Sequence, residues 1–393
     1  MSASSAVAPI PRARLNSIDI LRGLVMVIMA LDHARDYMTI QTVSATDVTK
    51  ASAALFLTRW ITHYCAPVFV FLAGAGAMLS LQRGKPVSEV SHFLWTRGLW
   101  LIFLEYVVIR WELTFNWNYL FSMTQVIAVI GMSMIVLSAL LRLPPRFIGI
   151  AGLLIVGLHN TLDPIRSNAP LWLFFFRQGV IPMPNGGIHL VAYPLLPWMG
   201  ILFCGYWFAT VYRLDEQRRR AIVRKLGLGL TLAFVILRFT NVYGDPGPWQ
   251  MQKSALFTAL SFVNCQKYPP SLLFVLMTIG PALILLSYLP DRRSRVWSPM
   301  VVFGRVPMFY YLLHLLFIHG LVLIYAYAKW GRAEWVYTVP GFYPDPKLIP
   351  ADFGHSLAAG YVLWITVVLL LYPLCRWFAS VRERTRSAWL SYL

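Results

Sequence analysis

Charge is scarce in this chain, and most of what is present has one sign. Of 393 residues, 13% are Asp, Glu, Lys or Arg, against about 25% in an ordinary soluble domain. Hydrophobic residues make up 58% and the mean hydropathy is +0.61, which a freely soluble fold does not fit. Acidic residues number 16 against 34 Lys and Arg, a net charge of +18. In a soluble protein that excess points to nucleic acid. Here the basic residues lie between apolar runs, so the positive-inside rule explains them and nucleic acid is not expected as a partner. Cysteine is nearly absent. Cys65, Cys204, Cys265 and Cys375 are scattered, three of them inside apolar runs, and read as packing residues without a disulfide framework. No His-x-x-x-His or Cys-x-x-Cys pair occurs, and neither does a phosphate loop or a dinucleotide fingerprint. A bound metal is therefore not expected, and soluble-type nucleotide folds are excluded. The first residues are rich in Ser, Ala and Pro with no apolar core of their own, and no cleavage site follows the first apolar run. That run is expected to stay as a span.

What the chain has is apolar length. Runs long enough to cross a bilayer, or nearly so, lie at about 18–39, 56–81, 93–111, 121–141, 146–161, 191–212, 226–243, 271–289, 300–328 and 355–377. They predict an all-α, polytopic integral membrane protein of about ten transmembrane helices. Fifteen Trp, nineteen Tyr and twenty-four Phe suit aromatic belts at two interfaces. The run 170–176 is too short to span and reads as re-entrant or interfacial. Basic residues concentrate in alternate connections: Arg12 and Arg14, Arg83 and Lys85, Arg142 and Arg146, the cluster Arg213 to Lys225, Arg292 to Arg295, and Arg376 to Arg386. The connections between them are poorer in Lys and Arg although longer. The alternation predicts both termini in the cytoplasm. It divides the chain into a cytoplasmic tail at 1–17, a transmembrane domain at 18–378 and a basic cytoplasmic tail at 379–393. The longer loops, about 162–190, 244–270 and 329–354, fall on the other side. They are rich in Pro, Gly, Asn and Trp, and loops of that length carry function or disorder. No clear internal repeat supports an inverted-repeat transporter.

Some charges lie where lipid should be. Arg22 and His33 are eleven positions apart in the first run, so they share a helix face and are separated by roughly 16 Å. A charge at bilayer depth costs about 2.5–3.5 kcal/mol on insertion scales, so a span that keeps several tends to use them. His33 can act as a general base, with Asp36 one turn on to orient it. The alternative is a polar helix end at the interface. Arg22 can snorkel, pair with Asp19 or bind a phosphate. Glu105 is a carboxylate inside the third run, where an inter-helix salt bridge is the structural alternative. His63 and His314 sit inside other runs, and a lone membrane histidine is often an inter-helix hydrogen bonder.

Taken in order, these residues carry a resemblance. Arg22 followed after ten residues by His33 resembles the Arg-x10-His signature of membrane acyltransferases that modify O-antigen and other glycans. The stretch Arg14-Leu15-Asn16-Ser17-Ile18-Asp19 with Arg22-Gly23 more closely resembles the heparan-α-glucosaminide N-acetyltransferase family and its bacterial branch. So do Pro67 to Gly74, Tyr193 to Gly200, Asn241 to Pro246, Lys267 to Ser271 and Phe303 to Pro307. The resemblance extends over about 12–378. It implies an enzyme of the bacterial cytoplasmic membrane that takes an acyl group, usually acetyl, from cytoplasmic acyl-CoA. The group is delivered to a glycan or amino-sugar hydroxyl or amine across the bilayer. The resemblance marks His33 as a transfer-site residue and His314 as matching a Tyr-x-x-His element; with Asp36 and Glu105, read above from their positions, these are the expected catalytic residues. Arg22, Arg97 and Arg305 fall to the acyl-CoA, and His63, Lys267 and Trp198 to the acceptor. Self-association is left open. The lysosomal enzyme of this family has asparagine near the position of His33 and its proposed catalytic histidine in the following loop. This chain has no histidine between Tyr37 and Thr62, so direct transfer with His33 as base is the simpler expectation. A transporter or flippase of a lipid-linked glycan or small solute is the competing class, and a scaffold without chemistry a third.

Overall fold

The computed structural model describes residues 15–39, 43–292, 294–340 and 346–385, with Leu390 and Tyr392. Most of the tail expected at 1–17, with Arg12 and Arg14, lies outside them, as do Arg293 and Arg386.

The first helix, α1 (Asn16–Met38), is the axis of the fold. It packs on α2 (Ala53–Thr62), α3 (Cys65–Gln82), α13 (Ser298–Arg305), α14 (Pro307–Trp330) and α15 (Leu357–Thr385). Residues on all its faces are buried, from Asn16 to Tyr37. Its charged groups therefore face protein, where partners can satisfy them, and lipid does not have to. Its crossing with α13 is close. A Cβ on Gly23 would lie 1.9 Å from the Met300 carbonyl oxygen, and one on Gly304 would lie 1.8 Å from that of Asp19. Only glycine admits such an approach.

Ser52 caps α2 by accepting the Leu55 amide at 3.2 Å. The chain then breaks at His63 and Tyr64 before α3. Pro67 has no N–H for the His63 carbonyl, which places the break there. Next, α4 (Val87–Phe103) runs through a π-helical turn at Leu104–Ile109 into α5 (Arg110–Thr114). This continuous rod pairs with α6 (Val126–Leu140). Helix α7 (Pro145–Leu158) packs on α9 (Leu195–Phe208), which also packs on α3. The short α8 (Pro170–Phe176) occupies the run read as too short to span. Helix α10 (Glu216–Thr240) pairs with α12 (Leu272–Tyr288), and α11 (Ala255–Phe262) lies in the loop between them. Pro307 interrupts the run 300–328, separating α13 from α14. Helix α15 continues through residue 378 to Thr385.

Each of the ten apolar runs thus holds a helix. Among the described residues, six helical segments are long and apolar enough to cross a membrane: 53–82, 87–114, 145–162, 195–213, 307–330 and 357–385. Of the others, α6 and α12 are apolar but shorter, while α1 and α10 carry charges.

The chain is not wholly helical. Strands β1 (Phe121–Thr124), β2 (Gly179–Pro182) and β3 (Ile188–Val191) form a small sheet in the order β1-β3-β2, with β1 parallel and β2 antiparallel to β3. Gly186 turns the hairpin with φ +78°, and Asn185 Oδ1 accepts the Gly187 amide at 3.0 Å. The runs beginning at 121 and 191 therefore start as strands. Four-residue strands leave too little period-2 pattern to be seen beside a long apolar helix.

Candidate active site

One stripe of α1, from Arg22 through Met26 and His33 to Asp36, connects two cavities of opposite character. Arg22 and Met26 line a cavity of 320 Å³ bounded by α1, α3, α4, α6 and α14. Arg22, Arg97, Arg305 and Arg382 line it together, and Arg97 faces Arg22 and Arg382. Arg22 donates to the Gly304 carbonyl at 3.0 Å and to Asp19 at 3.2 Å. Arg305 pairs with Glu383 at 2.6 Å, and Arg382 donates to the Arg305 carbonyl at 2.9 Å. The rest of the wall is largely apolar, including Leu72, Leu101 and Ile127, with Tyr311 from α14 among the lining residues. All three arginines expected at the acyl-CoA are thereby gathered in one place, and Arg382 joins them.

Asp36 lines the second cavity, 760 Å³ in volume and polar, with Arg59, His63, Asp245, Lys267 and Tyr268. Under it lies a buried ion network. Asp32 bridges Arg59 and, at 2.9 Å, Arg35, whose guanidinium also holds Asp36 at 2.5 Å. Two carboxylates and two guanidiniums balance, which is the condition for burying them. His63, at the break between α2 and α3, is 2% exposed and stands edge-on to Phe274 at 5.4 Å. The Lys267 ammonium lies 5.1 Å from the ring centre of Tyr268 and 6.0 Å from that of Tyr193, within cation–π range. Burial opposes ionisation of the Tyr268 phenol, but the Lys267 and Arg59 charges carry it below the usual phenol value.

The loop bearing Lys267 and Tyr268 is held by Arg238 and Asp245. Arg238 donates to the carbonyls of Phe262, Gly247, Ser261 and Asn264 at 2.8–3.1 Å. Asp245 accepts from the Gln266 amide at 2.8 Å and the Ser271 hydroxyl at 2.6 Å. Burial is the largest influence on Asp245 and pushes its carboxyl above the usual range.

His33 and His314 lie between the cavities, their ring centres 5.2 Å apart. The His314 Nδ1 donates to the Tyr310 carbonyl at 3.2 Å and to that of Tyr311. Carbonyls only accept, so the proton is on Nδ1 and Nε2 is a free lone pair. Nε2 is buried, with no hydrogen-bond partner among the described residues. The Tyr311 ring is 5.3 Å from His314, which links the pair to the arginine-lined cavity.

The other expected site residues are placed differently. Asp36 sits against Arg35. Glu105 projects from the π-helical turn onto the start of α6, where it accepts the Ala128 amide at 3.1 Å. That is a capping position, where a carboxylate meets unpaired amides and the positive end of the helix dipole. Trp198 is 0% exposed and packs 4.8 Å from Tyr193, so it lies behind the ring that faces Lys267. Arg59, Asp32, Arg35, Asp245 and Tyr311 join the site, although none of them is assigned a role in it from the sequence. Arg59 and Arg238 had the same signal as Arg22, a charge within an apolar run.

No curated protein matches the chain. The family model described as heparan-alpha-glucosaminide N-acetyltransferase, catalytic, matches residues 14–237. That match takes in Arg22, His33, His63, Arg97, Glu105 and Trp198, and ends before Lys267, Arg305 and His314. It covers more than half of the chain, which therefore belongs to the heparan-alpha-glucosaminide N-acetyltransferase family, a family of membrane acetyltransferases.

Proposed function

We propose that this protein transfers an acetyl group from cytoplasmic acyl-CoA to an amine or hydroxyl of a glycan or amino sugar on the opposite side of a bacterial cytoplasmic membrane. In this reading all ten apolar runs span and both termini are cytoplasmic. The single observation that carries it is the His33–His314 pair in the wall between an arginine-mouthed cavity and a polar one. Guanidinium groups suit the CoA phosphates, and the apolar stem suits the pantetheine arm with its acyl group. Polar walls with an aromatic face and an ammonium suit a sugar.

The reaction then needs little from the protein beyond position and a base. The acceptor nitrogen or oxygen attacks the thioester carbonyl. A C–N or C–O bond forms and the C–S bond breaks. The acceptor proton passes to His314 Nε2, which returns it to the departing CoA thiolate. His33, beside it on α1, orients the acceptor and shares the proton. No acyl-enzyme is required.

The test uses the full-length protein in lipid nanodiscs with labelled acetyl-CoA and a panel of amino sugars and oligosaccharides. The expected result is CoA release that depends on acceptor and is lost in both His33→Ala and His314→Ala while acetyl-CoA still binds. Full transfer by either variant would remove that histidine from the mechanism. If acetyl-CoA does not bind at all, the two cavities are better read as the alternating ends of a transporter.

A further inference from the structure

We infer that the acceptor is lipid-linked, a saccharide carried through a phosphate on a polyprenyl-type tail. This rests on the acyltransferase reading above and adds the substrate's anchor. A third cavity, of 420 Å³, runs along the bundle between α7, α9, α10 and α12. Its walls are almost wholly apolar and include Leu153, Gly157, Cys204, Leu226, Leu230 and Leu272. Leu153 and Leu226 are 53% and 41% exposed, so the cleft opens sideways, on helices that face lipid. Along α12 it extends from Leu272 to Leu283, about 16 Å of helix and so roughly half of the hydrocarbon thickness.

At the Gly157 and Leu272 end the cleft is bounded by polar contacts: the Tyr243 hydroxyl donates to the Gly157 carbonyl at 2.6 Å, and the Leu272 amide donates to Asn160 Oδ1 at 2.9 Å. A few residues beyond Gly157 on the same chain segment, His159 and Leu162 line a void of 190 Å³ that also contains Arg166 and Arg177. Neither arginine has an ion-pair partner among the described residues. The one carboxylate there, Asp163, already accepts from the Asn160 amide group at 2.8 Å. The void is thus cationic, and it shares Gln178, Gln266 and Tyr268 with the 760 Å³ polar cavity. The order is apolar cleft, arginine vestibule, polar chamber. A tail, a phosphate and a sugar come in that order in a lipid-linked saccharide. A bulk phospholipid would use the first two and leave the chamber unexplained.

The full-length protein in detergent, probed by native mass spectrometry with polyprenyl phosphate, polyprenol, phosphatidylglycerol and inorganic phosphate, tests this. Polyprenyl phosphate is expected to bind at least about tenfold more tightly than polyprenol, and phosphatidylglycerol at equal concentration should not displace it. A Cβ on Gly157 would meet no atom within 4 Å, so the backbone admits a side chain there, and Gly157→Leu adds apolar bulk to the cleft wall. It should weaken polyprenyl phosphate about tenfold or more and leave acetyl-CoA binding as it was. Arg166→Ala with Arg177→Ala should reduce the phosphate to the level of polyprenol. Equal binding of polyprenol, displacement by phosphatidylglycerol, or indifference to Gly157→Leu would each overturn the inference. The two readings fail separately. Acetylation of free amino sugars without polyprenyl phosphate binding removes only the lipid anchor. Polyprenyl phosphate binding without any acetyl transfer upholds the lipid site and removes the acyltransferase.

Discussion

The two cavities on the α1 stripe are built in different ways. The arginine-lined one is made by regular helices, and its charges are held by short-range contacts around one helix crossing, where Gly23 of α1 meets α13 and Gly304 of α13 meets α1. The polar one is made largely by connecting segments, and its shape depends on a few buried polar groups far apart in sequence. Arg238 alone ties four carbonyls of one loop. Helices satisfy their own backbone groups, so a cavity among them needs no further support. A buried loop leaves its carbonyls and amides to be paired by side chains. The arginine-lined side, proposed for the donor, should therefore tolerate substitution in its fold and suffer in affinity, while the polar side, proposed for the acceptor, should suffer in its fold.

The strongest way to test the division is at the wall itself. His314→Gln keeps a polar side chain but loses the basic Nε2, and should lower kcat about 10²–10⁴-fold with little change in acetyl-CoA binding. A single-turnover assay with pre-bound donor measures this, and a kcat within threefold would contradict the assignment. Next comes the loop pillar. Arg238→Ala leaves Asp245 without its cation and four carbonyls without donors, and should cost on the order of 3–5 kcal/mol, read as a lower Tm in detergent. An unchanged Tm would mean that the acceptor cavity is not supported as described. Arg97→Ala should act on the donor side alone. Loss of one charge-assisted contact worth about 1.5–3 kcal/mol would raise the acetyl-CoA Kd roughly ten- to a hundredfold, with Tm preserved. A parallel fall in amino-sugar affinity would break the separation of the two sides. The smallest effect is expected from Glu105→Gln. A capping carboxylate contributes about 0.5–2 kcal/mol, and Gln keeps an acceptor oxygen, so Tm should fall slightly and kcat should hold. A large loss of kcat at constant Tm would return Glu105 to the chemistry.

Much of the helical fold could be read from the sequence because membrane helices announce themselves by apolar length. The misreadings came where that signal is blind. Residues 121–124, and residue 191 at the head of the next run, are apolar enough to extend a helix, yet they lie in strands because 121–124 and 179–182 both pair with 188–191. The break at Val306 follows from Pro307, a local feature that a window over 300–328 averages away. Among site residues, Arg22, Arg97 and Arg305 could be named singly, but their meeting could not. Asp36 and Glu105 could be named as carboxylates in unusual places, but not that Arg35 and the start of α6 hold them.

The sequence by itself determined that the chain lives in a membrane and where its helices lie. It also determined which polar residues those helices carry, because hydropathy and charge are properties of a segment alone. Only the tertiary structure decided which of the costly charges neutralise one another across helices, as Asp32 of α1 does with Arg59 of α2, and which polar group is left over. The His314 Nε2 is such a group, and it lies against His33 from a helix nearly three hundred residues away. Pairing between distant segments depends on packing, and no local pattern in the chain encodes it.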